Sequence, residues 1–341
     1  MDERPVHRVD RGGTVTDSTR AIVIHETGGP EKLVWESVPV APPGPGEVVI
    51  RHTAIGVNFH DTYVRSGLYQ TLRLPGIPGI EAAGIVERIG DGVAGLAVGD
   101  RITYIDASYG AYAERRVLPA RLAVRLPPGV ADDVAASLTI KGFTASMLLQ
   151  SVHRVRAGET VLIHAAAGGV GQPLVRWAKH LGATVIATAG SAEKLAIARD
   201  CGADHVINYR EENFVDRVAQ LTAGRGVDVA YDSVGASTFL GSLQCLAFQG
   251  LLVNFGQSSG PVAPFSPSLL ATRSNGVVRP MVFHYIRDRG ALDAMAAQVF
   301  GAIEKGILRA PTITRLPLAQ ASEAHGLLES RRSTGPIVLE P

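Results

Sequence analysis

The sequence predicts an α/β protein of two domains, one mostly β and one a doubly wound parallel sheet. Residues 160–256 alternate short β-rich runs with helix-like runs, the order that folds into parallel strands joined by right-handed crossovers. Residues 21–142 lack that alternation and instead break short β runs with Gly/Pro-rich turns. At the head of the alternating region a strand, a glycine turn and a helix follow one another directly, in TVLIHAAAGGVG at 160–171 and the amphipathic run after it. A chain of 341 residues is long enough for two domains, and 46% hydrophobic against 19% charged residues suits a compact core.

The first 20 residues are polar, with Asp2, Glu3, Asp10 and Asp17 balancing Arg4, Arg8, Arg11 and Arg20. They read as a flexible extension and, without an apolar stretch, not as a signal peptide. The β-rich domain is expected over 21–142. Its strand candidates are Val48-Val49-Ile50, Gly84-Ile85-Val86 and Arg101-Ile102-Thr103-Tyr104, separated by turn signals such as Pro42-Pro43-Gly44-Pro45-Gly46 and Asp91-Gly92. From Asp132 an Ala/Leu-rich stretch predicts a helix, with the domain crossing near Gly142. The parallel-sheet domain is expected over 143–282. Strands fall at 160–164, 184–188, 205–207, 227–231 and 251–255, with Val277-Val278 as a sixth, and helices at 169–181, 192–200, 212–221 and 236–248. Residues 283–341 are expected to return to the first domain through a helix at 318–329 and a strand at 336–339.

The glycine turn has the composition a dinucleotide pyrophosphate needs. Small residues admit close backbone approach, and a helix N-terminus supplies N–H groups and positive potential. Read as G-x-G-x-x-G, it runs Ala166-Ala167-Gly168-Gly169-Val170-Gly171, with alanine in the first glycine position. Alone that match is weak; the alternation around it makes it a Rossmann-type turn. Pro173 predicts a helix that starts late or bends. A fold that prefers NAD places an acid about 20 residues beyond the glycines, at the end of the second strand. Here that strand ends Ile186-Ala187-Thr188-Ala189-Gly190, with no acid at or near Ala189. Ser191 is an N-cap candidate, and Lys194 stands at N3, where a capping box carries Glu or Gln. A cation there opposes the helix dipole by roughly 0.3–1 kcal/mol, a penalty that a bound 2′-phosphate reverses. NADP(H) is therefore the expected cofactor; a solvated surface lysine beside Glu193 is the ordinary alternative.

Several functions are disfavoured. A net charge of +1 argues against a broad nucleic-acid surface. No apolar run approaches the ~18 residues of a membrane span. Two cysteines, Cys201 and Cys245, without C-x-x-C spacing fit a reducing cytoplasm rather than a disulfide framework. There is no Y-x-x-x-K pair. The ten histidines show no metal-ligand spacing; His60 beside Asp61 is the one suggestive pair and reads as an ordinary polar side chain at the site edge.

Further motifs carry a family resemblance. They are residues 55–67 (IGVNFHDTYVRSG), Gly79-Ile80-Glu81-Ala82-Ala83-Gly84, Gly99-Asp100-Arg101, the turn at 164–171, and Ser191 to Lys194. Val206-Ile207-Asn208-Tyr209-Arg210, Tyr231-Asp232-Ser233-Val234-Gly235 and residues 254–260 (NFGQSSG) complete the set. Over roughly 21–341 the chain resembles the zinc-free quinone oxidoreductase branch of the medium-chain dehydrogenase/reductases, which includes the zeta-crystallins. The resemblance implies a GroES-like catalytic domain beside the Rossmann domain, and a homodimer through edge strands of the nucleotide domain. Zinc-dependent relatives carry a ligand Cys where Asn58 stands and Gly-His-Glu where this chain has Gly79-Ile80-Glu81, so no metal is expected. Without a Lewis acid, reduction of an already electrophilic acceptor is the chemistry that positioning alone can support.

The resemblance also implies roles. Asn58 is a nicotinamide-side contact, or else a turn residue at a strand end. Tyr63 resembles the family's active-site tyrosine, whose phenol donates at neutral pH; a half-buried β-domain aromatic is the alternative. Lys141 lines the domain crossing, or is a helix-surface lysine. Asn58, Tyr63 and Lys141 form the expected catalytic set. Gly168, Gly169, Val170 and Gly171 hold the pyrophosphate. Gly190, Ser191, Lys194, Tyr209 and Arg331 form the 2′-phosphate pocket. Ser233, Phe255, Gly256 and Gln257 lie at the carboxyl edge of the sheet, with Gln257 where relatives often have Asn. The expected function is transfer of reducing equivalents from NADPH to a quinone in the interdomain cleft, with solvent or Tyr63 supplying the proton. An NADPH-dependent enone or alkenal reductase, and a non-catalytic NADPH-binding structural or RNA-binding protein, are the alternatives. The expected partner is a small-molecule acceptor, with no nucleic acid and no membrane.

Overall fold

A computed structural model describes residues 8–9, 15–310, 312–330 and 335–341. These form two compact units, residues 1–140 with 310–341, and residues 141–309.

In the first unit β1 (Arg8–Val9), β2 (Val15–Val23) and β3 (Val34–Val40) form a three-stranded sheet. Next come β4 (Glu47–Val57), α1 (Phe59–Ser66), β5 (Glu81–Ile89), β6 (Arg101–Ile105), β7 (Arg115–Pro119) and β8 (Val124–Arg125). The long helix α2 (Asp132–Ser146) carries the chain to the boundary between the units. β2 begins inside the segment expected to be an extension. Thr19 is buried and the Arg20 N–H donates to Glu114 at 3.0 Å, so the sheet claims residues up to the expected domain start. Most of the segment before Val15 lies outside the described residues.

The second unit runs β9 (Thr160–Ile163), α3 (Gly171–His180), β10 (Thr184–Ala189), α4 (Ala192–Asp200), β11 (His205–Asn208), α5 (Phe214–Leu221), β12 (Val227–Asp232), α6 (Phe239–Gln244), β13 (Leu246–Asn254) and β14 (Gly276–Val278). α7 (Val282–Tyr285) and α8 (Arg289–Glu304) follow. Its six strands are parallel in the order β11-β10-β9-β12-β13-β14, the doubly wound order that opens a ligand crevice between the first and fourth strands. Strands buried on both faces read as nearly continuous apolar runs, as Val161-Leu162-Ile163 of β9 and Val185-Ile186-Ala187 of β10 do. Leu162, Ile186, Ile207, Val218 and Leu252 form this unit's core.

Two boundaries differ from expectation, while α3 starts late as Pro173 predicts. The helix expected over 236–248 is only Phe239–Gln244, because Val227 N–H takes the Cys245 carbonyl and Leu246 is already strand. α8 falls where a return to the first unit is expected. Val299 would collide with any side chain at Gly142, and Gln298 accepts from Ser146 at 2.6 Å, so this helix stays with the second unit. Pro173 costs nothing, because α3 begins at Gly171 and the proline sits in its first turn, where no intrahelical donor is needed.

The chain re-enters the first unit at Ala310. β15 (Thr314–Pro317), α9 (Ala321–Glu329) and β16 (Ile337–Glu340) complete a sheet of order β15-β16-β4-β5-β6-β8, with β7 also on β4. Ile50, Tyr104, Tyr112, Leu118 and Leu339 lie in its core.

Candidate functional site

In the second unit the glycine turn leaves the carboxyl end of β9. Its left-handed residue is Ala165 (φ 48), not Ala166, which explains why the first glycine position tolerates alanine. Gly168 N–H closes the turn on Ala165 O at 2.8 Å. A Cβ on Gly171 would fall 2.3 Å from Ala165 O, so that glycine is fixed by close approach of the helix to the turn. A Cβ on Gly169 would meet Lys141 Cε at 3.1 Å. Lys141 is thus no exposed helix lysine: it is 6% exposed and runs along the turn. Among the described residues nothing accepts from the N–H groups of Gly169 and Val170. Donors left open at a helix N-terminus fit a pyrophosphate.

The second corner lies at the end of β10. Ser191 caps α4, accepting from Lys194 N–H at 3.4 Å. A Cβ on Gly190 would stand 2.6 Å from Tyr209 Oη and 3.2 Å from Arg210 Nε. Gly190, Ser191, Lys194 and Tyr209 therefore come together, at the end of a strand where Ala189 occupies the ribose acid's place. Arg210 joins them; sequence reasoning passed over it as a site residue, although the cation next to Tyr209 was the available signal. Two or more cations beside a hydroxyl and a helix N-terminus suit a phosphate monoester. Arg331 lies outside the described residues.

At the third corner Phe255 N–H donates to Asp232 O at 2.9 Å, and a Cβ on Gly256 would lie 2.6 Å from Ser233 O. Ser233, Phe255, Gly256 and Gln257 are thus adjacent. The longer Gln257 side chain is held, accepting from Arg279 at 3.3 Å.

In the first unit Asn58 precedes α1. Its backbone N–H donates to Asp61 at 2.8 Å, fixing the helix start, and its side-chain amide donates to Glu81 at 3.0 Å. Glu81 is fully buried and its other oxygen accepts from Ile140 N–H at 2.6 Å. Behind α1 a polar chain continues through the core. Tyr112 donates to Asp61 at 3.2 Å, Tyr112 Oη lies 3.0 Å from His325 Nε2, and Arg65 pairs with Glu329 at 2.6 Å. Burial, then the nearby Arg65 charge, pushes the His325 pKa down to about 3, so this imidazole is neutral.

The exposed side of α1 carries rings. Tyr63 packs edge-on against Tyr69 at 5.2 Å, Phe59 lies 6.4 Å from Tyr63, and His60 contacts Tyr69 and Tyr109 at 5.4 and 5.9 Å. His60 Nε2 also meets Tyr109 Oη at 3.2 Å, and Thr71 bonds the same hydroxyl. Burial pushes the His60 pKa down to about 4, so the cluster gains no charge from it at neutral pH. His60 and Asp61 do not act as a pair: one faces the rings, the other the Asn58 backbone. Among the described residues no group of three or more His, Cys, Asp or Glu side chains is placed to hold a metal ion.

Comparison with known proteins places this geometry in context. The family described as alcohol dehydrogenase GroES-like domain matches residues 44–128, and that described as zinc-binding dehydrogenase matches residues 169–297. The chain is 45% identical to a quinone oxidoreductase of Pseudomonas aeruginosa, covering 92% of this chain and 97% of that protein. It is 43% identical to a 2-haloacrylate reductase of a Burkholderia species, covering 94% and 98%. The crystal structure of Escherichia coli quinone oxidoreductase complexed with NADPH superposes with a TM-score of 0.92 at 41% identity, covering 94% of this chain and all of that one.

Proposed function

The chain belongs to the quinone oxidoreductase branch of the medium-chain dehydrogenase/reductase superfamily, and on that premise we propose that it is a zinc-independent NADPH:quinone oxidoreductase. That it is an NADP(H)-dependent oxidoreductase follows from relatives of that activity over nearly its whole length. The quinone assignment rests on one observation, the neutral ring cluster of Phe59, His60, Tyr63, Tyr69 and Tyr109 in the first unit. Planar, uncharged acceptors stack on such rings.

The residues of the second unit fit the cofactor. Gly169 and Val170 offer backbone donors to the pyrophosphate, while Ser191, Lys194, Tyr209 and Arg210 would hold the 2′-phosphate; Arg331, which the resemblance adds, lies outside the described residues. Ser233 and residues 255–257 take the nicotinamide side. NADPH held there supplies a hydride, and the acceptor needs one further proton to become the hydroquinone. Tyr63 holds that proton on its phenol, beside the stacked acceptor. Asn58, fixed by Glu81 and by its own backbone bond to Asp61, orients the reacting partners. Lys141 holds the glycine turn by its buried stem. Zinc independence is supported by the Asn58–Glu81 bond: the amide stands where zinc-dependent relatives have a thiolate, and it is already engaged.

A second reading has its own support. The Burkholderia relative is named for reduction of a haloacrylate, an activated carbon–carbon double bond. The test is NADPH oxidation with ortho- and para-quinones, enones, alkenals and 2-haloacrylate, repeated with NADH. Quinone turnover with strong preference for NADPH is expected. Turnover of the acrylate or alkenals without quinones overturns the quinone assignment in favour of double-bond reduction. Tight NADPH binding with no turnover of any acceptor overturns both.

A further inference from the structure

His164, the residue between β9 and the glycine turn, is 1% exposed and takes no part in the chemistry described above. Its Nδ1 lies 2.9 Å from Thr188 Oγ1 and its Nε2 2.9 Å from Ser242 Oγ. Ser242 donates its own proton to Thr238 O at 2.9 Å. The imidazole must then donate from Nε2 to Ser242 and accept at Nδ1 from the Thr188 hydroxyl. Both ring nitrogens of one neutral side chain are satisfied, each by a different element.

Those partners lead to the other two corners. Thr188 is two residues before Gly190, and its carbonyl accepts from Ala166 N–H at 3.1 Å, directly joining the two turns. Ser242 also approaches Asp232 at 3.4 Å. The fully buried Asp232 carboxylate accepts from Thr238 at 2.8 Å, from Val234 N–H at 2.7 Å and from Gly235 N–H at 3.0 Å, which shapes the loop carrying Ser233. Elsewhere the sheet is closed by apolar residues such as Leu162 and Ile186. At the carboxyl ends of β9, β10 and β12 a polar chain runs Thr188–His164–Ser242–Asp232 instead. Apolar packing tolerates small slips, whereas a satisfied buried polar chain specifies one arrangement.

We propose that His164 is a positioning residue for the dinucleotide, holding the glycine turn, the Gly190–Ser191 turn and the Ser233 loop in one mutual register so that a single ligand meets all three. The proposal rests on the cofactor reading above. It acts on the frame that carries all three corners, the phosphate corner included, so its loss weakens NADPH and NADH alike in direction. Lys194, by contrast, separates the two.

The test compares His164→Leu, His164→Gln and Thr188→Val with Val227→Ala, a core truncation at the amino end of β12, away from Asp232. NADPH and NADH affinities and Tm are measured, with amide hydrogen exchange of residues 165–171 and 189–192 in the cofactor-free protein. His164→Leu is expected to weaken both dinucleotides about 10-fold, as loss of buried hydrogen bonds predicts. Thr188→Val shows a smaller loss, and His164→Gln, which keeps one donor and one acceptor, recovers part of the affinity. Exchange accelerates in both turns, and Val227→Ala lowers Tm without changing either affinity. If His164→Leu does not fold, Thr188→Val and His164→Gln decide the matter by the same readings. Wild-type affinity in the His164 and Thr188 variants, or affinity loss in Val227→Ala that tracks Tm equally, overturns the proposal. Failure of the wild type itself to bind either dinucleotide overturns the cofactor reading, and is seen before any variant is made.

Discussion

The Asn58 side chain donates to Glu81 at 3.0 Å; Asn58 directly follows β4 and Glu81 opens β5, beside Ile80, and the resemblance places a ligand Cys at Asn58 and a His at Ile80 in zinc-dependent relatives. The carboxylate serves two donors, since Ile140 N–H takes its other oxygen at 2.6 Å. Glu81→Gln leaves one acceptor for two donors in a fully buried place, and a loss of roughly 1–3 kcal/mol in urea unfolding is expected. Turnover falls with it, because Asn58 is no longer held. Dialysis of the wild type against a strong chelator leaves turnover unchanged. Activity that is lost to the chelator and restored by zinc would end the zinc-independent reading.

Tyr63 is held by its ring, against Tyr69 at 5.2 Å, and Tyr63→Phe keeps that packing while removing the hydroxyl. If the phenol donates the proton, kcat falls by about 100-fold, the low end of general acid catalysis, with KM for the quinone little changed. A rise in KM at constant kcat would make Tyr63 a wall of the pocket and nothing more.

Lys194 and Arg210 make a paired prediction. Each is assigned a charge-assisted bond to the 2′-phosphate, of the order of 1.5–3 kcal/mol. Lys194→Ala and Arg210→Ala should each weaken NADPH by ~10-fold or more, on the scale of 1.4 kcal/mol per decade, while NADH binding holds. Equal losses for the two cofactors would remove the phosphate assignment.

The sequence yields the second unit more readily than the first, for a physical reason. Parallel strands buried on both faces are mostly apolar, so the short β-rich runs of β9, β10 and β12 announce themselves, and the Ser191 cap marks where α4 begins. Leu246 and Ala247 fit a helix as well as a strand, and only pairing with β12 decides between them. At the site, the glycine turn and the Lys194 corner are local in sequence and therefore legible. Arg210 is not: it has no pattern beyond its neighbour Tyr209, and the closeness to Gly190 that marks it appears only in three dimensions. The chain from Asp61 through Tyr112 to His325 is still less legible, because its last bond spans 213 residues.

Burial of His52, His60, His164 and His325 gives stability a pH dependence of definite sign. Desolvation holds His52 and His325 down to about 3 and His60 to about 4, against an ordinary 6.5. Below 6.5 the unfolded chain takes up protons that the folded chain refuses. The stability contributed by these neutral side chains is therefore complete above 6.5 and is lost as pH falls toward the folded values. Each group contributes a slope of up to roughly 1.4 kcal/mol per pH unit in that window. Carboxylates remain largely ionised in both states above about pH 5, so between about pH 6.5 and 5 the imidazoles dominate the slope. Urea unfolding across that window should show stability falling with pH. His325→Gln, which keeps an acceptor for Arg65 and a donor for Tyr112, should reduce the slope by about one proton's worth while costing some stability at pH 7.5, roughly the 1 kcal/mol of an imperfect buried hydrogen bond. An unchanged slope in that variant would mean that His325 is protonated in the folded protein, charged between Arg65 and Tyr112 where burial makes it neutral.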